Sequence, residues 1–553
     1  MRPSTYLVPE KSYCMDYPLP QCTDNSNMTM TAMQRGKRLV EALHNLQTYE
    51  HPVSAVHVIQ THTAWVLLTG KYAYKIKKPV DFGFLDFSTL EKRRHWCEEE
   101  ARLNRRFAPD IYLGVAEIRG TLKQPHIGGS GPVLEYAVHM RQFPDKQLLS
   151  ELAEHQQLEA SHIDQLIEKI ATFHQTTDHA APDSDYGQPG RIHHWVSENF
   201  LYLLPNLKTD EECGQLTRIR QWTNEQWQQL KHHFERRKHN GFIRECHGDL
   251  HLRNLTIIAG EITPFDCIEF NAELRWIDVI SEVAFLIMDM DTRGYRLFSN
   301  RFLNGYLQLT GDYEGLILLP YYLVYRALVR AKVAILRRQQ VSPQSQDYLE
   351  STADYRHYMQ FALQHMDKEP PVLFITHGLS GSGKSTLGRA LNQTKGIIQI
   401  RSDIERKRLS GLKASERVKF EVDTGLYFSQ RTEETYQRLA EQAVFVIEAG
   451  FSVLLDATFL KKSHRDLMRQ LADTLQVRFL ILHCVAPNAM LEQRIQVREE
   501  IGQDPSDATL QVLDAQRDKA QPLRNDERNL TLTVDTSQED YLQTLLRNLT
   551  ARR

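Results

Sequence analysis

Residues 378–386 read GLSGSGKST, which satisfies the pattern G-x-x-x-x-G-K-[ST]. The segment follows an apolar run of strand length, VLFIT, and precedes a stretch of helical composition. In that context the glycines let backbone N–H groups turn inward around phosphates at the amino end of a helix. The pattern predicts a nucleotide-binding loop, and a glycine-rich turn with a chance lysine is the competing interpretation.

The predicted contacts with ATP are divided among the residues of this loop. We expect Lys384 to reach the β- and γ-phosphates and the Ser385 hydroxyl to bind Mg²⁺. The other predicted nucleotide contacts are Gly378, Ser380, Gly381, Ser382, Gly383 and Thr386.

Apolar runs of strand length alternate with helical segments on the carboxyl side of the chain. They read VLFIT, IIQI, SVLLDAT, VRFLILHC and LTLTV. This alternation predicts an α/β P-loop NTPase domain with a parallel sheet over residues 372–553. Adjacent prolines in MDKEPPV indicate a linker at 366–371.

Two carboxylates follow strands of this predicted sheet. Asp456 ends SVLLDAT and is a candidate Mg²⁺ ligand, or else it caps the next helix. Asp403 follows IIQI, where it is a candidate catalytic base, with Arg406 one helical turn later as a ligand for phosphate or acceptor. The alternative is that Ser402 and Glu405 form a capping box and Asp403 merely occupies the first turn.

Arg494 and Arg498 lie four residues apart, a spacing that suits either closure over transferring phosphates or a solvated charged face. With GLSGSGKS, RSDIERKRL and LLDATF, this R-x-x-x-R helix makes residues 371–545 resemble the small P-loop kinases. That group includes polynucleotide kinase, the zeta-toxin group and gluconate kinase. The resemblance implies that Asp403 is the base and that the two arginines form a lid.

A second motif, ECHGDLHLRNL, spans residues 245–255. Its His247, Asp249 and His251 have the alternate spacing of metal ligands on one face of a strand. The same letters spell H-x-D with Asn254 five residues after the aspartate, and LTIIAGEITPFD then predicts a hairpin that ends in Asp266. In phosphotransfer loops this order supplies a base and two Mg²⁺ ligands.

Such a loop needs a lysine and a glutamate upstream to hold the α- and β-phosphates. YAYKIKKP, the last of three predicted antiparallel strands between Ser54 and Lys78, supplies Lys75, and Lys77 lies on the same face. CEEEARL, in a predicted helix, supplies Glu100, with Glu99 as the alternative. A lone strand lysine is usually a solvated edge charge, but here it belongs to an ordered set.

These residues make positions 35–360 resemble the aminoglycoside phosphotransferase family. The resemblance implies an α+β, two-lobed, protein-kinase-like domain over residues 33–365. It makes Asp249 the base, Asn254 and Asp266 the Mg²⁺ ligands, and Lys75 with Glu100 the nucleotide clamp. The order of the two domains also resembles bacterial proteins described as bifunctional aminoglycoside phosphotransferase/ATP-binding proteins.

The sequence departs from the aminoglycoside phosphotransferase pattern at two places. No G-x-G-x-x-G precedes the strand lysine, so another hairpin turn is expected to cover the phosphates. Where the family usually has an aspartate in Asp-Leu-Ala, this chain has Glu282, and Asp278 is a candidate substitute.

Composition sets further limits on the whole chain. Its 553 residues require several domains, and its net charge of −3 does not indicate a chain-wide nucleic-acid surface. Seven scattered cysteines favour a reducing cytoplasm over a disulfide framework or zinc ribbon. The longest apolar stretch, from Gly315, is too short to span a bilayer and predicts a buried helix. Residues 1–32 read as a flexible tail.

The sequence therefore predicts an ATP- and Mg²⁺-dependent phosphotransferase with two sites. Each site is expected to transfer the γ-phosphoryl group to a hydroxyl of an unidentified acceptor, most simply a small molecule. One alternative is a regulatory protein in which one domain binds nucleotide and gates the other. Another is a nucleic-acid-end kinase in the carboxyl domain, with nucleic acid the less favoured partner. The oligomeric state is left open.

Overall fold

The computed structural model describes residues 30–551 except 84, 368, 414, 415, 417–428, 502–505 and 507. The chain divides into two compact units. The first consists of residues up to Gly294 together with Tyr321–Met366, and the second consists of Tyr295–Pro320 together with the chain from Asp367 onward. Most of the predicted amino-terminal tail, residues 1–29, lies outside the described residues.

The first unit begins with a helix and a six-stranded antiparallel sheet. The strand order is β1-β2-β3-β6-β4-β5, and the three strands predicted between Ser54 and Lys78 are confirmed. The elements are α1 (Ala32–Ala42), β1 (His57–Gln60), β2 (Ala64–Leu68), β3 (Tyr72–Lys77), α2 (Leu90–Arg105), β4 (Tyr112–Thr121), β5 (Gln124–Ile127) and β6 (Val133–Arg141).

The chain then becomes mainly helical, with two short antiparallel strand pairs, β7 with β10 and β8 with β9. The β8–β9 pair is the hairpin predicted after Asn254. The elements are α3 (Leu149–Glu154), α4 (Ala160–Thr176), α5 (Pro189–Leu203), α6 (Asp210–His239), β7 (Ile243–Glu245), β8 (Leu255–Ile258), β9 (Glu261–Pro264), β10 (Trp276–Asp278), α7 (Val279–Thr292), α8 (Arg296–Thr310), α9 (Leu319–Gln340) and α10 (Gln346–Gln364).

Helix α9 is the buried helix predicted from the apolar stretch, and its side chains from Leu319 to Leu336 are almost all buried. It carries Arg326, Arg330 and Lys332 among those buried side chains. In the part of the chain that the structure describes, no helix has both the length and the apolar character to cross a membrane.

The second unit is an α/β domain around a five-stranded sheet of order β12-β13-β11-β14-β15, in which every pair is parallel. The predicted parallel sheet is thus confirmed. The elements are β11 (Val372–His377), α11 (Lys384–Lys395), β12 (Ile398–Arg401), α12 (Ser402–Leu409), α13 (Ser429–Glu448), β13 (Val453–Asp456), α14 (Lys462–Thr474), β14 (Arg478–Val485), α15 (Asn488–Ile501), α16 (Leu510–Lys519), α17 (Asn525–Arg528), β15 (Thr531–Asp535) and α18 (Tyr541–Ala551).

Helix α8 belongs to the second unit, although the sequence analysis placed it in the domain ending at residue 365. The reason is the exposed edge of β12, whose unpaired backbone groups need partners. Asn304 Oδ1 accepts from Gln399 N at 2.8 Å, and Gln308 Nε2 donates to Gln399 O at 3.2 Å. The helix therefore covers the edge strand of a sheet that begins some sixty residues later in the chain.

A fully buried ion pair joins helix α6 to the start of α7 in the first unit. Arg237 Nε lies 2.7 Å from Asp278 Oδ2, and both side chains have no exposed surface. Asp278 also accepts from Ile280 N at 2.9 Å, so it caps α7. The Arg237 guanidinium stacks on Phe242 at 4.1 Å.

Replacing one member of this pair should destabilise the first unit strongly. We expect Asp278→Ala to lower its free energy of unfolding by about 3–5 kcal/mol, because Arg237 would keep a buried, uncompensated charge. All six tryptophans belong to the first unit, so urea unfolding followed by tryptophan fluorescence reports on it. Asp347→Ala, which removes an exposed partner of Arg337, is the control and should cost less than about 1 kcal/mol. Equal effects of the two variants would contradict the prediction.

Candidate active sites

The first site begins with a buried ion cluster that joins β3 to α2. Lys75 Nζ donates to Glu100 Oε1 at 2.8 Å and to Asp266 Oδ1 at 2.7 Å. Lys77 Nζ donates to Glu100 Oε2 at 2.6 Å and also to Glu269. The cluster therefore contains the predicted pair of Lys75 and Glu100, and Lys77 forms a second ion pair with the same carboxylate.

Electrostatics keep Glu100 ionised within this cluster. Burial alone would raise the pKa of Glu100, but Lys75 and Lys77 hold it at about 2. Glu99, the alternative to Glu100, instead lies 2.7 Å from Arg102 and 2.8 Å from Arg275. It takes no part in the lysine cluster.

The candidate base lies in the loop between β7 and β8. Asn254 Nδ2 donates to Asp249 Oδ2 at 3.1 Å and to Asp249 O at 3.0 Å, so the amide orients the carboxylate. Burial favours a higher pKa for Asp249, but His251, Arg330 and His247 outweigh it and bring the pKa to about 2. The carboxylate is therefore ionised at neutral pH.

Asp266 follows the hairpin with a φ of 63°, in the left-handed region that a non-glycine residue rarely adopts. Its N–H donates to the Tyr112 hydroxyl at 3.1 Å while its carboxylate binds Lys75. Such a conformation persists only where surrounding contacts hold it, and it is concentrated at functional sites.

The metal-ligand interpretation of His247, Asp249 and His251 does not match the contacts. His247 Nε2 lies 2.8 Å from Phe265 O and its Nδ1 accepts from Asp249 N at 3.3 Å, so loop backbone occupies both ring nitrogens. His251 Nε2 lies 3.4 Å from Asp249 Oδ2, and its ring packs edge-on against Phe285. His247 braces the loop and His251 packs behind the candidate base.

Glu282 supplies the loop support that the sequence analysis left open between Glu282 and Asp278. Its Oε1 accepts from Gly248 N at 2.7 Å, and its Oε2 lies 2.7 Å from His174 Nε2. Gly248 has a φ of 88°, and a Cβ there would lie 2.8 Å from Leu274 O, so glycine is required. Asp278 is no substitute, because its carboxylate is committed to Arg237.

The second site is a cavity of about 520 Å³ at the carboxyl edge of the parallel sheet. It brings together most of the predicted residues of this domain: Ser380, Gly381, Gly383, Lys384, Ser385, Thr386, Asp403, Arg406, Asp456, Arg494 and Arg498. Gly378 and Ser382 lie in the loop but not in the cavity wall. A Cβ at Gly378 would lie 2.5 Å from Cys484 O, so this glycine allows the loop to approach β14.

Asp456 ends β13, where its buried carboxylate accepts from Gln399 Nε2 at 2.9 Å and lies 3.7 Å from Arg401 Nε. Burial raises the pKa of Asp456, and the opposing effects of Arg401 and Lys384 are smaller. The next helix starts only at Lys462, with Lys461 at its N-cap, so Asp456 does not cap that helix. Its oxygen, with that of Ser385, suits a hard cation.

Asp403 and Arg406 share the first turns of α12, and Asp403 Oδ1 lies 3.3 Å from Arg406 Nη1. The capping-box alternative fails because Arg401 is the N-cap residue and Ser402 is already helical. Glu405 does not reach back to the helix start, because its buried carboxylate binds Arg408.

The two predicted lid arginines contact the backbone around the cavity. Arg494 donates to Gly381 O at 3.2 Å, to Thr536 Oγ1 at 2.9 Å and to Thr536 O at 2.9 Å. Arg498 Nη2 donates to Ala508 O at 2.9 Å. Both side chains are partly buried in the cavity wall, which the solvated-face alternative did not anticipate.

Gln516, on α16, is a site residue that the sequence analysis missed. Its Oε1 accepts from Ser380 N at 2.8 Å and its Nε2 donates to Ser380 Oγ at 3.0 Å. A glutamine in a polar helix more than a hundred residues from the loop carries no sequence signal for this contact.

His377 and His483 form a second unpredicted feature, directly beneath the loop. They are cross-strand neighbours on β11 and β14, and their Nδ1 atoms lie 2.8 Å apart. One ring must donate and the other accept, so at least one Nδ1 is unprotonated.

The sheet, the loop at the carboxyl end of its central strand and the carboxylate on the neighbouring strand make the second unit a P-loop NTPase domain. A protein-family model described as an AAA domain matches residues 373–523. Over 465 residues the chain is 32% identical to uncharacterized protein Rv2004c of Mycobacterium tuberculosis (strain ATCC 25618 / H37Rv). The aligned region covers 84% of this chain and 90% of that protein. Uncharacterized protein Mb2027c of Mycobacterium bovis matches with the same values. The chain belongs to the family of these mycobacterial proteins.

Solved structures also resemble parts of the chain. A putative kinase from Chloroflexus aurantiacus is 22% identical, with a TM-score of 0.27, over 33% of this chain and 98% of its own. The APS kinase CysC of Mycobacterium tuberculosis is 24% identical, with a TM-score of 0.25, over 33% of this chain and 99% of its own. An ethanolamine kinase from Plasmodium vivax is 10% identical, with a TM-score of 0.34, over 55% of this chain and 81% of its own.

The histidine pair should make the second unit less stable in mild acid. Burial and the neighbouring His483 lower the pKa of His377 to about 3. Below pH ~6.5 the unfolded chain binds a proton that the folded chain does not, so stability is full above that pH and falls by up to ~1.4 kcal/mol per pH unit below it. We expect His377→Asn to flatten this dependence in urea unfolding followed by circular dichroism at about pH 7.5 and about pH 5.5. The exposed His57→Asn control should keep the wild-type slope, and an unchanged slope in His377→Asn would refute the assignment.

Proposed function

We propose that the protein is an ATP-dependent phosphotransferase with two sites, one in each unit. The observation that carries the proposal is the convergence in the first unit of residues far apart in sequence. Lys75 binds both Glu100 and Asp266, while Asn254 orients Asp249. These residues follow one another along the chain in the order that is typical of the aminoglycoside phosphotransferase family, which has a protein-kinase-like fold. By that comparison Lys75 and Glu100 form the nucleotide clamp.

At the first site Asp249 acts as the base. Its carboxylate takes the proton of an acceptor hydroxyl, the hydroxyl oxygen forms a bond to the γ-phosphorus, and the bond from that phosphorus to the bridging oxygen of ADP breaks. Asn254 and Asp266 offer the oxygen ligands that would hold Mg²⁺, which neutralises phosphate charge when bound. Lys75 holds the α- and β-phosphates.

At the second site the loop amides and Lys384 bind the phosphates of ATP, with Ser385 and Asp456 as the ligands that would hold Mg²⁺. Asp403 lines the same cavity and acts as the base, and Arg406 binds phosphate or acceptor beside it. Arg494 and Arg498 neutralise charge on the transferring group. A cavity of about 520 Å³ suits a nucleotide with a small hydroxyl-bearing acceptor.

A specific observation favours a second candidate function for the first unit. The pocket lined by Asp249 and Asp266 measures only about 20 Å³, against about 520 Å³ at the second site. A domain that binds nucleotide without transferring phosphate, and thereby regulates the second site, is the alternative that fits this difference.

One experiment tests transfer at both sites. Intact protein, Asp249→Asn and Lys384→Ala are each incubated with γ-labelled ATP and a cell metabolite extract, and the labelled products are separated. We expect each variant to lose a different product by about a hundred-fold or more, because one lacks a base and the other a phosphate ligand. Lys395→Ala, an exposed lysine on the same helix as Lys384, is the control and should keep both products. Two unchanged product profiles would refute the proposal.

The regulatory alternative predicts a different pattern in the same assay. If the first unit only binds nucleotide, Asp249→Asn should leave the set of labelled products unchanged, whereas Lys75→Ala should alter the rate at which the second site forms its product. Loss of a distinct product in Asp249→Asn would exclude the alternative.

A further inference from the structure

Helix α9 presents two arginines to the candidate catalytic loop of the first unit. Arg326 Nη1 donates to Gly248 O at 3.3 Å, and its Nε donates to Ser281 O at 3.2 Å. Arg330 lies four residues later, on the same face of the helix. It lines the pocket that contains Asp249 and Asp266. The motif-based prediction did not include this residue.

The surroundings of Arg330 leave its charge directed at this pocket. The residue is 9% exposed. In the described ranges its single hydrogen bond is a long one, from Nε to the Tyr358 hydroxyl at 3.5 Å. A guanidinium has five N–H donors, so most of them have no hydrogen-bond acceptor among the described residues. Asp289, a nearby carboxylate, is already bound by Leu252 N at 2.9 Å and by Arg293 at 3.2 Å.

Two of the three acids in the pocket are paired with lysines, and the third, Asp249, shares the pocket wall with Arg330. Three carboxylates line the pocket, those of Asp249, Asp266 and Glu269. Lys75 binds Asp266 and Lys77 binds Glu269. The Asp249 carboxylate and the Arg330 guanidinium therefore face the same space, and Arg330 contributes to the low pKa of Asp249.

This arrangement meets a requirement of phosphoryl transfer. A phosphoryl group that approaches Asp249 brings negative charge next to a carboxylate, which is unfavourable unless a cation is fixed nearby. A guanidinium binds phosphate oxygens through two parallel N–H groups, a geometry that an ammonium cannot reproduce. Arg330 is held on helix α9 in the wall of this pocket, where its guanidinium lies over the Tyr358 ring.

We propose that Arg330 is a catalytic residue of the first site and binds the γ-phosphoryl group of ATP during its transfer to the acceptor. The proposal rests on the proposed phosphotransferase function of that site. It adds a residue from a helix outside the motif, and it predicts that the first site distinguishes ATP from ADP through this contact.

Nucleotide binding tests the proposal without knowledge of the acceptor. Every protein carries Lys384→Ala to remove the second site, and dissociation constants for ATP and ADP with Mg²⁺ are measured by calorimetry. We expect Arg330→Met to weaken ATP binding by roughly ten-fold or more, the loss of a charge-assisted hydrogen-bond pair, and to change ADP binding by less than about two-fold. Arg330→Lys should have an ATP dissociation constant between those of the parent and Arg330→Met. Tyr358→Phe, which removes the hydrogen bond but not the charge, should match the parent.

The outcomes separate the proposal from the function on which it rests. If Arg330→Met weakens ATP and ADP equally, or neither, the assigned contact is wrong while ATP binding at the site stands. If the Lys384→Ala parent binds no ATP, or if it binds ATP equally well after Asp266→Asn, the first site is not a nucleotide site and both proposals fail. Should Arg330→Met not fold, as judged by its urea unfolding, Arg330→Gln replaces it, and the ratio of the ATP to the ADP constant decides in the same way.

Discussion

The buried carboxylate of Glu100 is the interaction on which the first site depends. A charge without water must be fully compensated, and each oxygen of Glu100 meets one lysine of β3. Each of those lysines also binds an acid beyond the β8–β9 hairpin, Asp266 or Glu269. Sheet, helix and hairpin are therefore fixed by one network, in which the loss of one member leaves the others with uncompensated charge.

In the second unit the topology of the sheet, rather than a network of charged side chains, brings the site residues together. Parallel strands end at one edge of the sheet, so the loop after β11, the helix start after β12 and Asp456 at the end of β13 meet there by topology alone. The reversal of strand order at β11 opens the crevice in which ligands of such sheets bind. Here the fold positions the site, whereas in the first unit the ion network does.

The sequence allowed the motif residues of both sites to be predicted, because spacing along a strand, turn or helix is a local property. What it could not provide were contacts across the fold. Glu282 supports the loop through a hydrogen bond to Gly248 N, and whether Glu282 or Asp278 did so depended on packing. The N-cap of α12 is Arg401 because β12 ends there, which no capping pattern records. Arg330 and Gln516 have ordinary helical neighbours, so only the structure shows what they face.

The path of the chain through α8 has a consequence for how such a protein could arise or be divided. The polypeptide enters the second unit at Tyr295, returns to the first at Tyr321 and crosses again near Asp367. A fragment beginning at the linker would keep the whole parallel sheet but lose the helix that covers β12, which would expose an edge open to intermolecular pairing. The two units are thus interleaved in the gene. Recombination at a single junction could not exchange one of them intact.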